Sequence, residues 1–100
     1  MVIGACMVTE EQLYNINEQI YSLESAYSAC VTYIEHINEQ IIYNDRLFES
    51  RQILAKDYNY NKKKLQKERS KAFDEAKDYH KKAFFLKKKA RELQMNCKYI

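Results

Sequence analysis

Residues 13–37 read LYNINEQIYSLESAYSACVTYIEHI. Within them Leu13, Ile16, Ile20, Leu23, Tyr27, Cys30, Ile34 and Ile37 recur at alternating spacings of three and four. Side chains at that spacing share one face of an α-helix, and they fill the a and d positions of a heptad whose seam faces a second helix. With a set at Leu13, the frame runs on to the end of the chain. Position a then falls on Ile41, Phe48, Ala55, Lys62, Arg69, Ala76, Ala83, Ala90 and Cys97. Position d falls on Asn44, Arg51, Tyr58, Leu65, Ala72, Tyr79, Leu86, Leu93 and Ile100. Polar residues interrupt the seam only at Asn44, Arg51, Lys62 and Arg69, so the chain reads as two apolar arms joined by a polar centre.

The composition agrees with helices and little else. Among 100 residues there is one glycine, Gly4, with no proline and no tryptophan, while 46% are hydrophobic and 31% charged. Hairpin turns lean on Gly, Pro, Asn and Asp, so a β-rich fold is excluded. Phosphate-cradling loops need glycines that accept positive φ and close approach, and none follows position 4.

Thr9 and Gln12 form a capping-box pair, with Glu10 and Glu11 suited to the positive end of a helix dipole, so a helix is expected to begin near residue 10. The best reversal signal is Asp57-Tyr58-Asn59-Tyr60-Asn61, since Asp and Asn satisfy local backbone groups and tolerate left-handed conformations. The expected fold is an all-α, coiled-coil-like antiparallel two-helix hairpin. Its helices span about 10–56 and about 62–98 around a turn at about 57–61, with residues 1–9 as a flexible tail. An antiparallel dimer of one long helix is the alternative. A turn near residue 60 makes facing numbers add to about 120. Cys30 then meets Ala90, Ile34 meets Leu86, Asn44 meets Ala76, His80 lies opposite Asn38, and Arg51 and Arg69 meet beside the turn.

The net charge of +3 conceals an asymmetry: residues 1–50 hold eight acids and one base, and the remainder six acids and sixteen bases. Antiparallel pairing lays the acidic half along the basic half. Because Glu11, Glu18, Glu35, Glu39 and Glu49 take outward b and f positions, the benefit expected is a favourable field rather than a set of ion pairs.

No constellation of reactive side chains stands out. His36 and His80 are isolated, and the Glu35/Glu39 pair lacks the inward Glu-x-x-His partner that a di-iron site needs. Cys6, Cys30 and Cys97 are too far apart in sequence for a zinc motif, and none has a neighbouring histidine that would make it a credible nucleophile. The chain is expected to be no enzyme and to need no cofactor or metal. An odd, unpatterned cysteine set suits a reducing compartment, so cytoplasmic placement is expected. The apolar opening, Met1 to Val8, is too short for a secretory signal or a membrane span. Ile3-Gly4-Ala5-Cys6 matches a lipoprotein cleavage box without the hydrophobic segment that should precede it, and Met7 is a second potential start.

Aromatic residues outside the seam exceed what a two-stranded device buries. Tyr14, Tyr21, Tyr33, Tyr43, Phe73, Phe84 and Phe85 are therefore the candidate partner-binding residues, for another helical protein or a second copy. Lys81, Lys82, Lys87, Lys88, Lys89 and Arg91 form a basic face interleaved with Phe84 and Phe85. Lysines on phosphates and aromatics on unpaired bases would suit nucleic acid, held by a self-assembling antiparallel dimer. Glu68, Asp74, Glu75 and Asp78 stand three or four residues from Lys71, Lys77, Lys81 and Lys82, the pattern of a solvated, ion-paired helix.

The Gly-poor hairpin, with segments Leu65 to Arg69, Phe73 to Ala76 and Lys87 to Leu93, resembles the small helical proteins of bacterial type VII secretion: WXG100-like hairpins and the α-helical partners of LXG toxins. The resemblance implies a targeting or chaperone role on a toxin's helical N-terminal domain, and export together with that partner. There is no Trp-x-Gly at the turn, and Lys77 and Lys88 stand four residues after Phe73 and Phe84 where the family's export pattern has aspartate. The implied member therefore lacks the export motif.

Overall fold

Backbone hydrogen bonds, more than side-chain chemistry, decide where the chain reverses. The computed structural model describes residues 7–8, 10–96 and 98–99. Its elements in order are β1 (Met7–Val8), α1 (Glu10–Glu49), α2 (Ala55–Asn96) and β2 (Lys98–Tyr99). The fold is an all-α antiparallel helical hairpin, the first of the two arrangements that the heptad pattern allows. β1 and β2 pair in parallel, Met7 opposite Lys98 and Val8 opposite Tyr99, so two residues of the expected tail are tied to the far end of the sequence. The rest of that tail, the Thr9 cap, Cys6, Cys97 and Ile100 lie outside the described residues.

The turn occupies 50–54, and the expected reversal at 57–61 is corrected by it. The Arg51 N–H donates to the Phe48 carbonyl at 3.0 Å and the Gln52 N–H to the Leu47 carbonyl at 2.8 Å. These are the two bonds of a Schellman motif, with Ser50 at the C-cap. Arg51 sits at the left-handed position with φ 60°, the only positive φ among the described residues. Leu54 then opens α2, its carbonyl accepting the Tyr58 N–H at 2.9 Å. Ile53 and Tyr58, both half-buried, occupy the N′ and N4 positions of a hydrophobic staple. Asp57 to Asn61 thus lie inside the first turns of α2, where Asp57 suits the positive end of the dipole.

The chain forms two compact units, one of residues 28–77 and one of residues 1–27 with 78–100. In the unit that contains the turn, Ile34, Ile37, Ala72 and Ala76 are buried. Ile37, 1% exposed, is the only fully buried large side chain among the described residues. The Asn61 amide donates to Asn44 Oδ1 at 3.2 Å, and Arg69 Nη1 donates to Asn38 Oδ1 at 2.8 Å. Facing numbers therefore add to about 106, not 120, a displacement of two heptads that leaves every seam residue in the seam. Cys30 comes level with Ala76 and Ile34 with Ala72, replacing the expected pairings with Ala90 and Leu86. Ile34 on Ala72 still sets a large side chain against a small one, which lets the backbones approach closely. Arg51 and Arg69 do not meet: the first is in the loop, the second half-buried against Asn38.

Asn44, at 5% exposure, is the one buried polar residue among the described residues, and its amide also donates to the Tyr58 carbonyl at 3.2 Å. The Tyr58 hydroxyl donates to Asp45 Oδ1 at 2.8 Å, and its ring stacks on Phe48 with centroids 4.3 Å apart. Lys62 Nζ lies 5.6 Å from the same ring centroid. At Asn44 and Arg69 the polar interruption of the seam is thus hydrogen-bonded. No buried side-chain donor or acceptor among the described residues lacks a partner, which removes the desolvation cost such groups otherwise carry.

In the other unit the buried seam residues are Leu13, Ile20, Ala83 and Ala90. The His80 ring lies 5.7 Å from that of Tyr27, which replaces its expected place opposite Asn38. Lys87 Nζ donates to Glu24 Oε2 at 2.9 Å with both side chains about half exposed, an ion pair of modest worth.

Candidate functional site: exposed aromatic faces

Positions flanking the seam divide each unit into two faces. One is built from e and b positions and the other from g and c. The Glu24–Lys87 and Tyr27–His80 contacts lie on the e and b side, and the Tyr33 hydroxyl, 3.5 Å from Glu68 Oε2, lies on the g and c side.

In the unit of residues 1–27 and 78–100, Tyr14, Tyr21 and Phe84 stand on the e and b face, 63%, 70% and 65% exposed. Phe84 lines a groove of about 220 Å³ together with Glu24, Tyr27, His80, Ala83 and Lys87. On the opposite face Phe85, 67% exposed, borders a groove of about 420 Å³ with Gln19, Leu23, Lys81, Lys82 and Leu86. In the unit of residues 28–77, Tyr33 and Tyr43 stand on the g and c face. Tyr43 helps to line a groove of about 470 Å³ with Leu47 and Leu65. Phe73 is exposed on the e and b face. All seven aromatics singled out by the sequence are therefore on the surface, but not on one face. Tyr27, His80, Leu23 and Leu86, which form the groove floors, were not singled out. The heptad wheel carried that signal, since sorting the aromatics by e/b and g/c separates Phe84 from Phe85.

Lys81, Lys82, Lys87, Lys88, Lys89 and Arg91 are all exposed. Two of them are ion-paired, Lys87 with Glu24 and Lys82 with Asp78, the latter at 2.9 Å. The Asp78 carboxylate, through its hydrogen bond and its charge, holds the Lys82 ammonium above the ordinary lysine value. Of the four acids expected to pair along α2, Asp78 is the one with an ion pair described here. His36 lies 3.2 Å from the Gln40 amide on the surface, and Cys30 is half-buried with a free thiol. Among the described residues no group of three or more His, Cys, Asp or Glu side chains converges, and no helix is long and apolar enough to cross a membrane.

No protein-family model, no curated protein and no solved structure matches the chain. Its class rests on the fold: a two-helix antiparallel hairpin with aromatic residues on its outer faces.

Proposed function

We propose that this hairpin is a non-catalytic protein-binding module, an adaptor or chaperone whose partner is another helical protein. One observation carries the reading: the open groove between Leu23 and Leu86, about 420 Å³, with Phe85 exposed on its rim. An apolar trough between two helices accepts the apolar stripe of a third, with side chains at i, i+3 and i+7 as anchors. Tyr33 and Tyr43 offer aromatic anchors on the corresponding face of the other unit, and exposed aromatics are the residues in which binding energy concentrates. The resemblance to type VII partners makes the helical N-terminal domain of an LXG toxin the partner class to try first, with the hairpin as its targeting or chaperone subunit.

The test is co-expression of the tagged chain with such a domain, followed by titration of the purified pair. Phe85→Ala is expected to weaken binding about tenfold, the loss of roughly 1.4 kcal/mol from one anchor. Steep salt dependence, binding to a single-stranded oligonucleotide and loss of both on reversing Lys87, Lys88 and Lys89 to glutamate would replace this reading with nucleic-acid binding.

A further inference from the structure

We propose that the face carrying Tyr14, Tyr21 and Phe84 is covered by the same face of a second copy of this chain, the α1 segment of one copy lying on the α2 segment of the other. This goes beyond the adaptor reading, which uses the opposite face, and does not depend on it.

Charge points to a copy rather than an unrelated protein. In this unit the α1 segment, residues 10–27, holds four acids and no base, and the α2 segment, residues 78–96, holds two acids and six bases, so the two carry −4 and +4. A face made half of each is complementary to itself. A two-fold axis parallel to the helices sets each acidic helix against the basic helix of the other copy. The alternative axis, perpendicular to the helices, sets acid on acid and base on base. Either axis leaves every neighbouring pair antiparallel, so the helix dipoles oppose one another in both and charge decides between them.

The aromatic positions obey the same symmetry. Tyr14 and Tyr21 are seven residues apart at b positions of α1, and Phe84 and Arg91 are seven apart at b positions of α2. In the observed register Tyr21 is level with Phe84, and Tyr14 with Arg91. The two-fold axis therefore places Tyr21 on Phe84 of the partner subunit twice, and Tyr14 beside Arg91 of the partner subunit twice, an aromatic contact and a cation–π contact. The area is of the right order. Six aromatics of about 150–250 Å² each, about two-thirds exposed, contribute roughly 600–1,000 Å², toward the roughly 1,200 Å² at which stable interfaces begin. The demand is there too, because two of the four buried seam residues of this unit are alanines and small scaffolds with thin cores are commonly completed by association.

The experiment is sedimentation of the full chain and of two variants, Tyr21→Lys and Phe84→Glu, separately and mixed, with helix content followed by circular dichroism. The wild type is expected to sediment at twice 12.0 kDa and to shift toward monomer as salt rises. Phe84→Glu alone sets a carboxylate against the Tyr21 ring at both symmetric contacts, and its dissociation constant is expected to rise about a hundredfold, tenfold per contact; Tyr21→Lys, which keeps a cation over Phe84, is expected to raise it about tenfold. Mixed in equal amounts they are expected to recover the dimer, since one contact becomes Lys on Glu and the other keeps the original Tyr on Phe. Phe85→Glu, on the opposite face, is expected to leave the mass unchanged while abolishing partner capture, which separates the two proposals. A monomeric wild type at every salt concentration overturns the inference whatever the variants do. So does a mixture that stays monomeric, or dissociation caused by Phe85→Glu and not by Phe84→Glu.

Discussion

Replacing Arg51 by glycine distinguishes the hairpin from a continuous helix by the sign of its effect. In the hairpin Arg51 is the left-handed residue of the Schellman motif, with φ 60°. An L-residue with a Cβ is disfavoured there by roughly 1–2 kcal/mol, and glycine is not. Glycine also raises the entropy of the unfolded chain, which offsets about 0.5–1 kcal/mol of the gain. The net expectation is a stabilisation of about 0.5–1 kcal/mol, or a rise in Tm of about 2–8 °C for a domain of this size. In an uninterrupted helix the same substitution costs about 1 kcal/mol and lowers Tm by a similar amount. Thermal and urea unfolding of the wild type, Arg51→Gly and Arg51→Val read this out at fixed protein concentration. Arg51→Val is expected to be less stable than the wild type, because a β-branched side chain fits the left-handed region worse. A glycine variant that melts below the wild type would refute the turn assigned to 50–54 and the register that follows from it.

Three further outcomes follow from the packing and the charges. Ile37→Ala is expected to cost about 2–5 kcal/mol in urea unfolding, whereas Ile42→Ala, half exposed, should stay within about 0.5 kcal/mol. With Cys6 and Cys97 changed to serine, Cys30 and Ala76→Cys should oxidise to an intrachain disulfide at high dilution, seen as a non-reducing gel shift without dimer formation. Lys82, held above the ordinary lysine value of 10.5 by Asp78, should keep its pairing through neutral pH and lose the small benefit only as pH rises past that raised value. NMR titration of its Nζ should give a higher midpoint than in Asp78→Asn.

Legibility in the sequence followed the physics of each feature. The seam was readable because burial imposes a period: Leu13, Ile20, Ile34, Ile37, Ala72, Ala76, Ala83 and Ala90 are buried, and all are a or d residues. The layers were not, because a pattern with period seven maps onto itself when one arm slides by whole heptads. Alanines at 76, 83 and 90 are themselves seven apart, and Ala83 meets a large residue in either register, Ile37 in the expected one and Leu23 in the observed one. Only the turn fixes the slip, and no residue advertises it, since the left-handed position holds an arginine where glycine is usual. Asp57 and the asparagines at 59 and 61 misdirect for a related reason. Asp57 stands as an acid in the first turn of α2, and Asn61 is used in the bond to Asn44. The exposed aromatics were legible as a surplus, while their division between two faces required the wheel to be read beyond its seam.

The position of the Schellman turn also orders the folding of the chain. Tyr58 and Asp45 are 13 residues apart, Lys87 and Glu24 are 63 apart. Closing the longer loop from an open chain costs about 1.4 kcal/mol more, an order of magnitude in probability. The network of Asn44, Asp45, Phe48 and Tyr58 is therefore the entropically cheapest nucleus, and pairing is expected to zip from it toward the chain ends, each closed layer shortening the next search. Contacts this local belong to fast-folding helical topologies. The strained arginine at their centre then acts on kinetics as well as stability, since relief at position 51 speeds folding wherever the turn is already formed in the transition state.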